Sequence, residues 1–358
     1  MTTPGRGTRR LRVVQSFRTP RSTTNPYLTQ LADALAQDVD VAFFSWRTAL
    51  GGRYDVLHLH WPEILLRGNS RLGTAARRVL AALLLLRLWA VPAAVVRTQH
   101  NVDPHDPPGR VDALLLGCLE RRTDAWIRLN RWTPTPDATR TTTVPHGHYG
   151  DRYADAIASE AAFETAPEPG RLLHFGIVRR YKGVVELAAA FVGVPDASLR
   201  LRIAGRVHET DLTPALESAA AADPRVTLAL HHLDDDALVA EIKAAELVVL
   251  PYREMHNSGA ALLALTLERP VLVPANEVTT ELSDEVGPGW VLTYRAPLDA
   301  AGLRRAVDAV RTGLRSARPD LHRRNWDVVA AAHLEVYAGA VARRSVRSGS
   351  RWRAPGRR

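Results

Sequence analysis

The chain has 358 residues, 46% of them hydrophobic, which is enough for two domains that each bury a core. The formal charge of +9 suggests nucleic acid, but seven arginines and no acid follow Ala342; the remainder carries only +2, which excludes a strongly basic folded body. The single cysteine, Cys118, sits in an apolar pattern and excludes a disulfide framework, and Met1–Arg10 is too polar for a secretory signal, so a cytoplasmic site is expected.

Leu11–Phe17 reads as the first strand, and Asn25-Pro26-Tyr27 opens a helix through Leu35, with asparagine suited to cap it and proline to begin it. Val39–Trp46 reads as a second strand and Asp55–Trp61 as a third. His58 and His60 alternate with leucines and share a strand face, but no third ligand stands close enough for a metal site. His60-Trp61-Pro62-Glu63 reads instead as a polar, ligand-facing strand end. The run Val79–Val96 is apolar except for Arg87 and contains Pro92. A spanning helix would bury that arginine at a cost of about 2.5 to 3.5 kcal/mol. The pattern therefore predicts a helix to about Trp89, a turn at Pro92 and a strand Ala93–Arg97. Arg71 and Arg78 share a face of that helix that suits anionic lipid, with burial against the core as the alternative.

Gln99-His100-Asn101 follows the strand, at the carboxyl end where ligands sit in parallel sheets. Ala125–Asn130 and Thr141–Val144 read as further strands, and His146-Gly147-His148-Tyr149-Gly150 as an exit loop. Strands separated by helices indicate a doubly wound parallel sheet. Residues 155–170, rich in Ala, Glu and Pro, read as a linker.

Beyond it, Leu172–Gly176 reads as a buried strand, followed by a cationic turn, Arg179–Gly183, and a helix. Only two lysines occur in the chain, Lys182 and Lys243, against a large excess of arginine. A compact ammonium at this turn suits phosphate oxygens, and a solvated basic loop is the alternative. Strands at 199–205 and 226–230 follow, and Asp234-Asp235-Asp236 reads as a helix start rather than a metal site, since acids there cap free amides. Leu247–Leu250 is a buried strand, Ser258-Gly259 opens a helix, and Pro270 begins another strand. Trp326 and the pattern of 328–341 predict a long terminal helix, with a basic disordered tail at 343–358.

A phosphate turn after one strand and a second helix N-terminus after a later strand resemble the donor-nucleotide domain of GT-B glycosyltransferases, in particular the large retaining group that builds bacterial glycolipids and polysaccharides. The chain departs from that group's pattern: its two acidic positions fall on Met255 and Leu263, with Glu254 one residue off, and Ile177 replaces the arginine after Gly176. The resemblance implies an α/β fold of two Rossmann-like domains: residues 1–154 on the acceptor side, a linker at 155–170, a nucleotide-sugar domain at 171–322, and a helix at 323–342 crossing back. It implies catalytic roles for His100 and Glu254, and diphosphate contacts from Arg179, Lys182, Ser258 and Gly259. Thr24, Asn25, Asn101 and His146 are expected near the acceptor or transferred sugar. The implied substrates are a nucleotide diphosphate sugar and a lipid-linked or glycan acceptor, without metal, cofactor or nucleic acid, and with peripheral contact to an anionic membrane. A nucleotide-sugar epimerase of the same fold and a noncatalytic binding protein are the alternatives.

Overall fold

The computed structural model describes residues 9–21, 24–100, 109–158, 166–253 and 255–348. They divide into two compact units, one made of the chain up to Gly147 together with the residues from Arg324 onward, the other of His148–Arg323.

The first unit contains six parallel strands: β1 (Arg12–Gln15), β2 (Asp40–Phe43), β3 (Val56–Leu59), β4 (Ala94–Gln99), β5 (Ala125–Arg128) and β6 (Thr141–Thr143), in the order β2-β1-β3-β4-β5-β6. Successive side chains fill opposite layers, as a sheet covered on both faces requires. Val13, Val56 and Val96 pack with Leu31 of helix Pro26–Leu35 and Tyr337 of helix Trp326–Ser348. Val14, Leu57 and Val95 pack with Leu84 and Leu88 of helix Arg71–Ala90. Because β2 lies on one side of β1 and β3 on the other, the carboxyl ends of β1 and β3 border a topological switch point, where ligands enter such sheets.

Helix Arg71–Ala90 begins at the Ser70 cap, whose hydroxyl accepts from Gly73 N at 3.0 Å, and stops before Pro92. Arg87 donates to the Gly52 carbonyl and lies 5.6 Å from the Tyr54 ring centre, so its guanidinium is engaged within the unit. The expected second strand is shorter than its apolar run: Ser45 Oγ accepts from Thr48 N at 3.0 Å and caps a helix, Trp46–Gly51. The terminal helix runs past residue 342 to Ser348, which shortens the expected tail. Arg344 Nη2 donates to the carbonyls of Leu88 and Val91 at 3.0 and 2.9 Å, groups that the end of helix Arg71–Ala90 leaves without intrahelical donors.

The second unit has β7 (Arg171–Phe175), β8 (Arg200–Ala204), β9 (Val226–Ala229), β10 (Leu247–Val249), β11 (Val271–Pro274) and β12 (Val291–Tyr294), all parallel, in the order β12-β11-β10-β7-β8-β9. This is the dinucleotide-fold order, with its switch point between β7 and β10. The boundary between units falls at Gly147, ahead of the expected linker. Tyr149, Tyr153 and Ala156 are buried in the second unit's core beside Leu173 and Val248, so apolar residues within a compositionally bland segment are already part of the fold. Asp234 accepts from Ala237 N at 2.9 Å and caps helix Asp235–Ala244, as its position in the triple-acid run suggests.

Candidate functional site

After Phe175 the chain turns through Gly176 at φ +100°, makes a short turn at Arg180–Lys182, and enters helix Val184–Val192 through Gly183 at φ +65°. A Cβ on Gly183 would stand 2.2 Å from the Pro251 carbonyl oxygen, so both the left-handed backbone and the close approach require glycine. Arg253 N donates to the Tyr181 carbonyl at 3.0 Å. The turn after β7 and the loop after β10 are thus joined by backbone contacts at the switch point.

The charges at this turn are unevenly compensated. Arg180 pairs with Glu209 and Asp211, whereas among the described residues Arg179 and Lys182 form no ion pair. The Lys182 ammonium stands 5.3 Å from the centre of the buried Tyr252 ring. Burial first, and Arg179 second, lower its pKa to about 8. Two neighbouring cations that pair with no carboxylate among the described residues, beside a helix N-terminus, can attract an anion. His174 on β7 adds no charge: burial, then Lys182, depress its pKa to about 3, and its Nδ1 bonds the Val249 carbonyl at 3.0 Å.

This electrostatics sets a pH dependence. Lys182 carries its proton below about pH 8 and loses it above. Affinity for a nucleoside diphosphate should therefore be level near pH 7 and then fall towards about tenfold per pH unit above the lysine's pKa. Calorimetric titration between pH 7 and 9 would show this slope, and a flat profile would count against Lys182 as the phosphate partner.

Ser258 caps helix Gly259–Thr266, its Oγ accepting from Ala261 N at 3.2 Å, and also bonds the Tyr252 phenol. Tyr252 therefore links Lys182 to Ser258. Gly259 is needed for another reason as well, since a Cβ there would stand 2.5 Å from the Tyr149 hydroxyl. Met255 and Leu263 are both 5% exposed and lie in the apolar core, so neither family acidic position faces solvent here. Glu254 lies outside the described residues, as does Asn101.

In the first unit, His100 follows β4 and is 7% exposed. Its ring stacks on Trp61 at 3.9 Å and meets Tyr27 edge-on at 5.3 Å. His60 is 3% exposed rather than at an open strand end: its Nδ1 lies 3.0 Å from His100 Nε2, and its Nε2 lies 3.0 Å from Gln15 Oε1. Burial, then neighbouring imidazoles, hold the pKa values of His58, His60 and His100 well below the usual value. Thr24 Oγ1 accepts from Arg21 N at 2.9 Å, and Asn25 Oδ1 accepts from Tyr27 N at 3.0 Å, so these two side chains shape a turn and cap a helix. His146 Nδ1 bonds the Gly147 carbonyl at 2.7 Å, and its ring lies 4.6 Å from that of Tyr27. Sequence reasoning missed Gln15, Tyr252 and Tyr337; the position of Tyr252 at the carboxyl end of β10 was the available signal. Among the described residues, no group of three or more His, Cys, Asp or Glu side chains is arranged to hold a metal ion.

No family model matches the sequence. A GDP-mannose:glycolipid 4-β-D-mannosyltransferase of Xanthomonas campestris pv. campestris is 45% identical over 93% of this chain and 94% of its own length. A D-inositol 3-phosphate glycosyltransferase of Xylanimonas cellulosilytica is 28% identical over 83% of this chain and 74% of its own. Among solved structures, sucrose-phosphate synthase of Thermosynechococcus elongatus aligns with a TM-score of 0.61 at 16% identity, over 95% of this chain and all of that one. HepE of Anabaena in complex with UDP aligns with a TM-score of 0.58 at 14% identity, again over 95% and 100%. The two doubly wound sheets are those of GT-B proteins, and the chain, a glycosyltransferase, belongs to the family of the Xanthomonas mannosyltransferase.

Proposed function

We propose that this enzyme transfers mannose from GDP-mannose to a hydroxyl of a glycolipid, with inversion at the anomeric carbon. The observation that carries the proposal is the Arg179–Lys182 pair at the β7–β10 switch point, which forms no ion pair among the described residues, in a chain 45% identical to a transferase of that donor and acceptor class. That relative's name gives a β-mannoside product. GDP-mannose carries its diphosphate on the α face, so one displacement inverts the centre. The acceptor oxygen attacks C1 as the bond from C1 to the diphosphate oxygen breaks. The electron pair leaves on the diphosphate, where Lys182, Arg179 and the N-terminus of helix Val184–Val192 offset the growing charge. The acceptor proton must go to a base. The apolar Met255 and Leu263, at the positions of the retaining group's acids, accord with this different stereochemistry.

A lipid-borne acceptor favours peripheral contact with a membrane. No described helix is long and apolar enough to cross one. On helix Arg71–Ala90, however, Leu72, Val79, Leu83 and Leu86 are exposed. Their spacing places them within an arc of roughly 60°. The Arg78–Asp112 pair, at 2.7 Å, ties this helix to Arg110–Arg122, which exposes Val111 and Leu114. With Arg71 and Arg110 exposed nearby in sequence, the strip has the composition of an interfacial surface for anionic lipid. Most of the basic tail lies outside the described residues.

The decisive experiment incubates the purified protein with radiolabelled GDP-mannose and glycolipid extract in anionic vesicles. A β-mannosylated lipid is expected, together with sedimentation on the vesicles that Leu83→Asp/Leu86→Asp reduces. Transfer from UDP-sugars alone, an α-linked product, or an isomerised donor would each overturn the reading.

A further inference from the structure

One imidazole of the second unit takes no part in the proposed transfer, yet it lies beside the cation on which donor binding turns. His174, the fourth residue of β7, is 0% exposed, and its Nδ1 stands 3.0 Å from the Val249 carbonyl on β10. The ring therefore spans the two strands that border the switch point. A carbonyl oxygen only accepts, so Nδ1 carries the proton, and a neutral imidazole then keeps a lone pair on Nε2. Among the described residues that buried Nε2 has no hydrogen-bond partner. An acceptor left unanswered in a dry interior destabilises a fold unless a donor or a positive charge offsets it.

Lys182 can supply that charge. Gly176 follows His174 by two residues, the interval that returns a strand to the same face, and its N still bonds the Ala204 carbonyl of β8 at 2.9 Å. A Cβ on Gly176 would stand 3.4 Å from Lys182 Nζ, so the ammonium sits over the end of β7. After burial itself, the Lys182 charge is the largest influence on the protonation of His174. We infer that His174 is a positioning residue for Lys182: with Nδ1 fixed on Val249, its Nε2 lone pair faces the lysine and holds the ammonium in place at the turn.

The lysine's setting shows why such a partner matters. The groups around it are Arg179 on its own turn, the buried Tyr252 ring after β10, and His174 on β7. Burial and Arg179 favour the neutral amine. The face of the Tyr252 ring and the imidazole lone pair oppose them. A carboxylate would stabilise the ammonium more strongly, but its charge would also repel a diphosphate. A neutral acceptor keeps the cation charged and leaves that charge free for the ligand.

The inference rests on the reading of Lys182 as a phosphate partner, and its test separates the two. The chain has only two lysines, so labelling lysine with carbon-13 at Cε gives two NMR signals, which Lys243→Arg assigns. In the ligand-free parent, labelled also with nitrogen-15 in histidine, one imidazole signal should move with the same midpoint as the Lys182 carbon, at about pH 8. His174→Asn keeps a donor for Val249 and removes the acceptor at Nε2, whereas His174→Gln places an acceptor there and gives up the Val249 bond. The Lys182 midpoint should fall by about one pH unit in His174→Asn and stay near the parental value in His174→Gln. Affinity for GDP at pH 8 should drop about fivefold in the first and little in the second. A role confined to packing or to the Val249 bond gives the opposite ranking, and that result overturns the inference. So does a parent in which no histidine signal follows Lys182, a measurement that decides even where neither variant folds. If GDP does not bind the parent, the phosphate reading falls, and the lysine midpoints still decide the role of His174.

Discussion

Lys182→Ala is expected to weaken binding of a nucleoside diphosphate sugar by about two orders of magnitude, or ~2.7 kcal/mol, the upper range for a charge-assisted hydrogen bond. The melting temperature should stay within a few degrees. The lysine lies on a turn, forms no ion pair among the described residues, and has its charge disfavoured by burial and by Arg179. Removing it therefore relieves one repulsion and opens no core cavity. Lys182→Arg should recover the affinity only in part, because a guanidinium cannot stand over Tyr252 as a compact point charge. Isothermal titration with GDP and GDP-mannose reads the effect, and parental affinity in Lys182→Ala would place the phosphate seat elsewhere.

His100→Ala should act on the other kinetic parameter. A loss of about two orders of magnitude or more in kcat is expected, with nucleotide affinity nearly unchanged, since Arg179 and Lys182 belong to the other unit. The substitution also leaves His60 Nδ1 without this hydrogen-bond partner and removes a ring packed on Trp61 and Tyr27, so a stability loss of about 1 to 3 kcal/mol should accompany it. Single-turnover kinetics and equilibrium nucleotide binding, measured well below the melting temperature, separate the two consequences. Near-parental turnover in a folded variant would reduce His100 to a packing residue.

The strands were largely legible because a parallel strand buried on both faces is a short apolar run bounded by turn residues, as in Leu247–Leu250 and Ala93–Arg97. Asn25 and Asp234 were legible through their capping chemistry. Partnerships across the sheet were not. His58 and His60 showed their shared face, yet nothing in the local sequence told that Gln15 and Tyr337, 322 positions apart, would complete their hydrogen bonds. A polar residue in a buried strand looks the same whether it lines an open pocket or closes an internal network; only the neighbours distinguish them. The boundary at Gly147 was missed for a related reason, since Tyr149, Tyr153 and Ala156 acquire their burial from strands that come later in the chain.

The long helix Trp326–Ser348 has a bearing on synthesis. It supplies Val329, Tyr337 and Val341 to the same core as Val13 and Tyr27, so the first unit is discontinuous in the chain. A ribosome releases β1 to β6 early, but their apolar layer, covered in part by helix Pro26–Leu35, stays incomplete until the last of these residues has emerged. The second unit, made from one uninterrupted stretch, has all its parts before that. Order of completion therefore reverses order of translation, contrary to the usual sequence in multidomain proteins. During that interval the nascent amino-terminal half presents a half-covered sheet face, which a chaperone holding apolar surface would shield.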